Sequence, residues 1–212
     1  MEEIVNQHRE TLGYYVVGAL EKKGYLAEYL PDEAVARSRL IGLIPDQASV
    51  GFGGSMTVKH MDIQGELEKK GCILLDHSAA KDPAEAKDIR RKQLSCDVFL
   101  TSSNAITTDG CLYNVDGTGN RVAAMIFGPG EVIITAGINK IVPDLDAAQD
   151  RVKSTAAPMN NIRFNTENPC VKNGVCMDCS SPKRICNITT ILHRCPTGAK
   201  IRVLIVGEPL GF

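Results

Sequence analysis

The sequence predicts an α/β protein on a mixed, mostly parallel sheet. Three observations carry that expectation. Helical and strand patterns alternate through the first hundred residues, the order that lays down parallel strands joined by crossover helices. Asp116-Gly117 and Gly119-Asn120 mark a hairpin turn near the middle, which adds an antiparallel pair. A final apolar segment, Ile201 to Val206, follows a cysteine-rich stretch, so that stretch reads as an inserted loop and not as a separate domain.

The elements follow in order. Ile4, Val5, Leu12, Val16, Ala19 and Leu20 recur near the helical period, predicting a helix over 3–23 that stops at Gly24. Tyr25 to Leu30 is a short strand. Pro31-Asp32-Glu33 opens a second helix, with proline early and acids in its first turn, and Pro45 closes it. Ala48 to Val50 is a strand that runs into a glycine-rich loop, and a helix carrying Met61, Ile63 and Leu67 comes next. Cys72 to Asp76 and Cys96 to Thr101 read as strands around a charged surface helix, 83–94. Cys111 to Val115 and Val122 to Phe127 are read as the two arms of the hairpin, followed by a strand at 132–136 and a helix at 144–157. From Pro158 to Cys186 the pattern dissolves into Asn, Pro, Gly and Cys.

The chain has 212 residues, enough for one domain over 1–212 with a Cys-rich loop at 165–190. Its 24 basic and 25 acidic side chains leave a net charge of −1, which argues against a dedicated nucleic-acid binder. No apolar run is long enough to span a membrane, and the first residues lack the pattern of a signal peptide, so a cytoplasmic protein is expected. Eight cysteines in such a chain point to metal or redox chemistry more than to a disulfide scaffold.

Three motifs could carry chemistry. The first is Gly51-x-Gly53-Gly54-Ser55-x-Thr57, at the carboxyl end of a strand, where ligands of open α/β sheets bind. Glycines let the backbone approach an anion, and Ser55 and Thr57 add hydroxyl donors. It lacks the Gly-Lys-Ser/Thr ending of a phosphate-binding P-loop, and Met56 stands where a dinucleotide fingerprint needs glycine. A tight turn with a Ser/Thr helix cap is the plainer alternative.

The second is Thr107-Thr108-Asp109-Gly110-Cys111 with the nearby Arg121. Asp109 is a candidate general base, Thr108 and Gly110 are candidate ligand contacts, and Arg121 could clamp a carboxylate or phosphate. Turn chemistry explains Asp116 and Asn120 equally well.

The third is Cys170-x5-Cys176-x2-Cys179-x6-Cys186. Four soft ligands in one loop suit an iron–sulfur cluster, with zinc as the alternative, and Lys183 and Arg184 would offset thiolate charge. Loose thiols or a reversible disulfide are the plainer reading. Cys195, before Pro196, is a further candidate ligand. Cys72, Cys96 and Cys111 read as small core residues.

Taken together, Val50-Gly51-Phe52-Gly53-Gly54-Ser55-Met56-Thr57, Asp97 to Asn104, Ile106-Thr107-Thr108-Asp109-Gly110 and Val132 to Val142 resemble the LUD-domain family, named for lactate utilisation. Asp32-Glu33-Ala34 and the end Gly207 to Phe212 also fit, and Asp178 to Asn187 looks like the Cys-containing branch. The resemblance implies a three-layer α/β/α fold similar to ribose-5-phosphate isomerase and the CoA transferases. It implies work beside iron–sulfur oxidoreductase partners in lactate oxidation; the four soft ligands of the Cys loop are what suggest a 4Fe-4S cluster there, with zinc as the alternative. In that wider fold a Gly-rich loop holds phosphate and an acid before glycine does chemistry, roles that would fall to Gly53, Gly54, Ser55 and Asp109. Where the pattern has acid-Gly-Thr, this chain has Asp109-Gly110-Cys111.

The leading expectation is a small carboxylate or phosphate ligand held between the Gly51–Thr57 loop and the Thr107–Gly110 segment, in a chain that could pair as a homodimer. Two others stand beside it. One is a sugar-phosphate isomerase or acyl-CoA transferase with a structural zinc loop. The other is a metabolite-binding regulatory module.

Overall fold

A computed structural model describes residues 1–212. The order of elements is α1 (Glu2–Lys22), β1 (Leu26–Leu30), α2 (Glu33–Leu43), β2 (Ser49–Phe52), α3 (Met56–His60), α4 (Gln64–Lys69), β3 (Ile73–Leu75) and α5 (Pro83–Gln93). It continues with β4 (Val98–Thr101), β5 (Ala105–Thr107), β6 (Leu112–Asp116), α6 (Asn120–Ile126), β7 (Glu131–Gly137), β8 (Ile141–Val142) and α7 (Leu145–Arg151). A π-helical turn, Val152–Ala156, joins α7 to α8 (Ala157–Arg163), and α9 (Pro169–Asn173), β9 (Ile188–Leu192) and β10 (Ile201–Val206) complete the chain.

Six strands form the main sheet in the order β1-β10-β7-β4-β2-β3, and every pairing is parallel. Alternation along each strand splits the core in two. Val50, Val98, Leu100, Ile133, Leu204 and Val206 face α2, α3 and α4. Phe99, Val132, Ile134, Val203 and Ile205 face α1, α6 and a second sheet. Helices therefore lie on both sides of the parallel sheet, as the sequence predicts.

The antiparallel strands sit elsewhere than expected. They build a separate four-stranded sheet, β8-β5-β6-β9, in which β6 pairs antiparallel with β5 and β9 while β5 and β8 run parallel. The expected second hairpin arm, Val122 to Phe127, is the helix α6. A short apolar run cannot distinguish strand from helix by period, and its Ala-Ala-Met centre favours helix. Gly119, at φ 84°, opens that helix, and the Asp116 carboxylate accepts the Val122 N–H at 3.4 Å. The turn residues thus cap a helix where a hairpin was expected. The helix expected over 144–157 runs on through the π-helical turn to Arg163.

Candidate functional site

The parallel strands β2, β4 and β7 end on one side of the sheet, and their carboxyl ends floor a cavity of about 480 Å³. That size falls within the range of small-molecule sites. After β2, Gly53 keeps pairing by donating to Leu100 O at 2.9 Å. A Cβ on Gly53 would stand 2.8 Å from Thr101 Oγ1, so only glycine lets the loop lie this close to β4. Gly54 takes the left-handed conformation at φ 70°, and the Ser55 hydroxyl then caps α3 by accepting from Val58 N. With five residues, α3 is too short to lend much of a helix dipole, so the helix-terminus contribution expected from the sequence is small.

The end of β4 supplies Thr101, Ser102, Ser103 and Asn104, and the β6–α6 turn supplies Asp116, Gly117 and Arg121. Arg121 spends all five N–H donors on the protein. Its Nε goes to Asp116 Oδ1 (3.3 Å), Nη1 to Ser102 O (3.2 Å) and Asn114 Oδ1 (2.9 Å), and Nη2 to Asn104 Oδ1 (3.0 Å) and Val115 O (2.8 Å). Arg121 therefore builds the wall and has no free fork for a ligand.

Three cations that sequence reasoning missed complete the lining: Arg90 from α5, Arg163 from α8, and Lys140 after β7. Arg163 gives one Nη donor to Gly54 O at 3.0 Å. The Nε groups of Arg90 and Arg163 are buried with no partner in the protein. Lys140 is 3% exposed, and its Nζ donates to Thr57 Oγ1 (3.0 Å) and Ser102 Oγ (2.9 Å). Burial, reinforced by Arg151 and then Arg121, pulls its pKa down to about 7. Against these cations the lining offers one side-chain carboxylate, Asp116, already held by Arg121. His77, beside Gln93 Nε2 at 3.2 Å, also lines the cavity, and burial lowers its pKa.

Of the residues singled out from the sequence, Gly53, Gly54, Ser55, Arg121 and Cys186 meet at this cavity. Thr57 is fully buried behind it and acts through Lys140. Gly51 lies inside the sheet, where a Cβ would press on Phe99 and Cys96.

The Thr107–Gly110 segment does not form the expected second wall. Asp109 projects on the side of α1, where Lys23 Nζ reaches its Oδ2 at 2.9 Å and the Thr107 hydroxyl bonds its Oδ1. Those two donors, Lys23 first, hold the carboxyl down to about 2. Thr108 donates to Pro143 O at 2.7 Å, and Gly110, at φ 87°, packs on Ala19 so closely that a Cβ would meet backbone at 3.0 Å. The Asp-Gly pair is accounted for by this helix contact.

The Cys segment straps over the cavity rim. Asn187 ties it down, its N–H to Asp116 O (2.9 Å) and its amide to Gly117 O (3.1 Å). All eight cysteines are free thiols. Cys170 is buried on α9 and its pKa is raised, by burial first and then by Cys179, Cys176 and Cys186, so the four thiols share one electrostatic neighbourhood. Arg184 gathers the loop, donating to Cys179 O (2.7 Å) and Cys186 O (3.0 Å) and pairing with Asp178 (3.0 Å). Four thiols beside an arginine suit a soft metal by donor type, although no three metal-ligating side chains stand in coordinating arrangement. Cys195 is apart from them, at Lys23 and Ala199.

A parallel sheet with helices on both sides and a cavity at the carboxyl ends of its strands defines the open α/β class of fold. Within that class the chain belongs to the LUD-domain family, which it matches over residues 15–206. No curated protein matches it. A DUF162 family protein from Deinococcus radiodurans shares the fold at 12% identity and a TM-score of 0.54, over 93% of this chain and 98% of that one. Two further structures overlap about half of it. The eIF2B delta subunit from Chaetomium thermophilum is 18% identical, with a TM-score of 0.37 over 54% of this chain and 50% of that one. A D-ribose-5-phosphate isomerase in complex with phospho-erythronic acid is 18% identical, with a TM-score of 0.35 over 53% and 54%. No helix is long and apolar enough to cross a membrane.

Proposed function

We propose that this LUD-domain protein serves lactate or related organic-acid oxidation, binding a small carboxylate or phosphate compound in the cavity beside Gly53–Ser55. The observation that carries the ligand class is the charge imbalance of the lining: the basic side chains of Arg90, Arg121, Lys140 and Arg163 face a single side-chain carboxylate, already paired. Arg90 makes no side-chain hydrogen bond within the protein and Arg163 makes one, from Nη1 to Gly54 O, so most of their Nη donors remain for a bound oxyanion. Ser55 and the open space at Gly54 leave room for its oxygens.

The same reading places a metal on Cys170, Cys176, Cys179 and Cys186. A 4Fe-4S cluster held there would supply one-electron transfer toward an iron–sulfur oxidoreductase partner. Arg184 offsets thiolate charge, and Cys186 brings the donor set to the cavity wall.

Thermal denaturation with inorganic phosphate and with lactate tests the ligand site. Either anion should raise the melting temperature, and Arg90→Gln or Arg163→Gln should weaken the effect by about tenfold in apparent affinity. No shift with either anion would overturn the reading. Iron, sulfide and zinc analysis of anaerobically purified protein tests the loop. Iron with sulfide supports the cluster; stoichiometric zinc, or no metal, overturns it.

A further inference from the structure

The geometry assigns Lys140 a role that the charge argument does not: we propose that its amine is a nucleophile that captures the carbonyl group of an anionic ligand as an imine. The proposal rests on the cavity being an anion site, and adds that the ligand carries a carbonyl as well as an acidic group.

A buried lysine with a structural task ordinarily meets a carboxylate or fills its three donor positions with acceptors. Lys140 does neither. Thr57 and Ser102 accept from it through hydroxyls whose own protons go to Leu210 O (3.3 Å) and Ser103 O (3.4 Å) respectively. Two positions on Nζ are thereby fixed and the third is uncommitted. The residue lines the cavity, and a Cβ on Gly211 would come within 3.3 Å of Nζ, so the facing position admits no side chain that would cover the amine. No carboxylate contacts it, and the charged groups that act on it are the guanidinium groups of Arg151 and Arg121. Desolvation beside other cations is how proteins keep a lysine neutral and nucleophilic near pH 7.

The step balances without a cofactor. The Nζ lone pair forms a bond to the carbonyl carbon as the C=O π bond opens. The oxygen takes up a proton to give a carbinolamine. Loss of that hydroxyl with a second proton expels water and leaves C=N. Both protons come from the amine nitrogen, and the Ser102 and Thr57 hydroxyls at 2.9 and 3.0 Å are placed to relay them. The acidic end of the same molecule would lie against Arg90 and Arg163. Two ligand sources share this chemistry, 2-oxo acids and the keto or open-chain forms of phosphorylated sugars.

The protein is incubated at pH 7 with pyruvate or with dihydroxyacetone phosphate, each with cyanoborohydride, and digested for peptide mapping. The expected result is a reduced adduct on Lys140 at about tenfold or more the level at any other lysine, suppressed by inorganic phosphate and absent from Lys140→Arg. The probe that labels identifies the source. Labelling spread over surface lysines with both probes overturns the proposal, and the wild-type map decides this even where the variant fails to fold. A phosphate-induced thermal shift without Lys140 labelling removes this inference and leaves the anion site standing; loss of both removes the site as well.

Discussion

Arg121 shows how one residue type can be read correctly and its task misread. Proximity to Asp116 and Asn120 marks it as a clamp, yet all five donors are consumed by Ser102, Asn104, Asn114, Val115 and Asp116. Arg121→Lys keeps the charge and loses the fork. It should lower stability by roughly 2–4 kcal/mol in urea melts, because Asn104 and Asn114 are left short of partners; an unchanged midpoint would contradict the wall-building role.

Lys140 ties stability to pH. Its folded pKa of about 7 lies below the ordinary 10.5. Below pH 7 both folded and unfolded chains hold the proton; between the two values only the unfolded chain does; above them neither does. The unfolded state binds more protons in that window, so stability due to this residue rises with pH through it. Wild type should gain roughly 2–4 kcal/mol on Lys140→Met between pH 7 and 10, and parallel profiles would refute the buried amine.

Asp109 titrates the other way. Its side chain is 66% exposed and its pKa is held near 2, so what it contributes is present above pH 3.8 and fades as the pH falls toward 2. Asp109→Asn should change only this acid limb, leaving the phosphate-induced shift in melting temperature intact. Loss of that shift would place Asp109 at the ligand after all.

Among the elements, the β2–α3 loop is the part of the site most legible in the sequence, since glycines between strand and helix announce a close approach. Gly53→Ala should cost about 1–3 kcal/mol and abolish the anion response, because its Cβ would strike Thr101 Oγ1 at 2.8 Å and Phe99 at 3.0 Å. A variant that melts and responds like wild type would show that β2 and β4 can part freely. The parallel strands were legible too, as apolar runs between helical patterns. The second sheet was not. β5 and β8 have three and two residues, too few to show a period, and Ile188–Leu192 alternates weakly because β9 is an edge strand with two exposed residues. The three missed cations come from α5, the turn after β7 and α8, separated in sequence by up to 73 positions. Only the fold brings them together, and each looks locally like an ordinary surface charge.

At the scale of the molecule, the Cys segment and the cavity share Cys186 and the Asn187 strap to Asp116 and Gly117. Metal loading and anion binding should then be linked, each changing the affinity of the other by the same factor. Calorimetry of phosphate binding before and after chelation should give different dissociation constants, and Cys186→Ser should abolish the difference. Equal constants would make the loop an independent appendage. Four cysteines in one short stretch advertise the loop, but nothing in their spacing reveals that it roofs a cavity, because that depends on β9 returning to β6.

The strand order has a consequence for how the molecule is made. β10, the last strand of the chain, lies between β1 and β7. Until it emerges from the ribosome, β1 has no strand to pair with, and the rest of the sheet presents β7 as an open template. The seam between β1 and β7 is sewn last, after the cysteine loop has been synthesised. A chain stopped before Ile201 should therefore leave β1 without a strand to pair with and open to protease, while the full chain resists cleavage there.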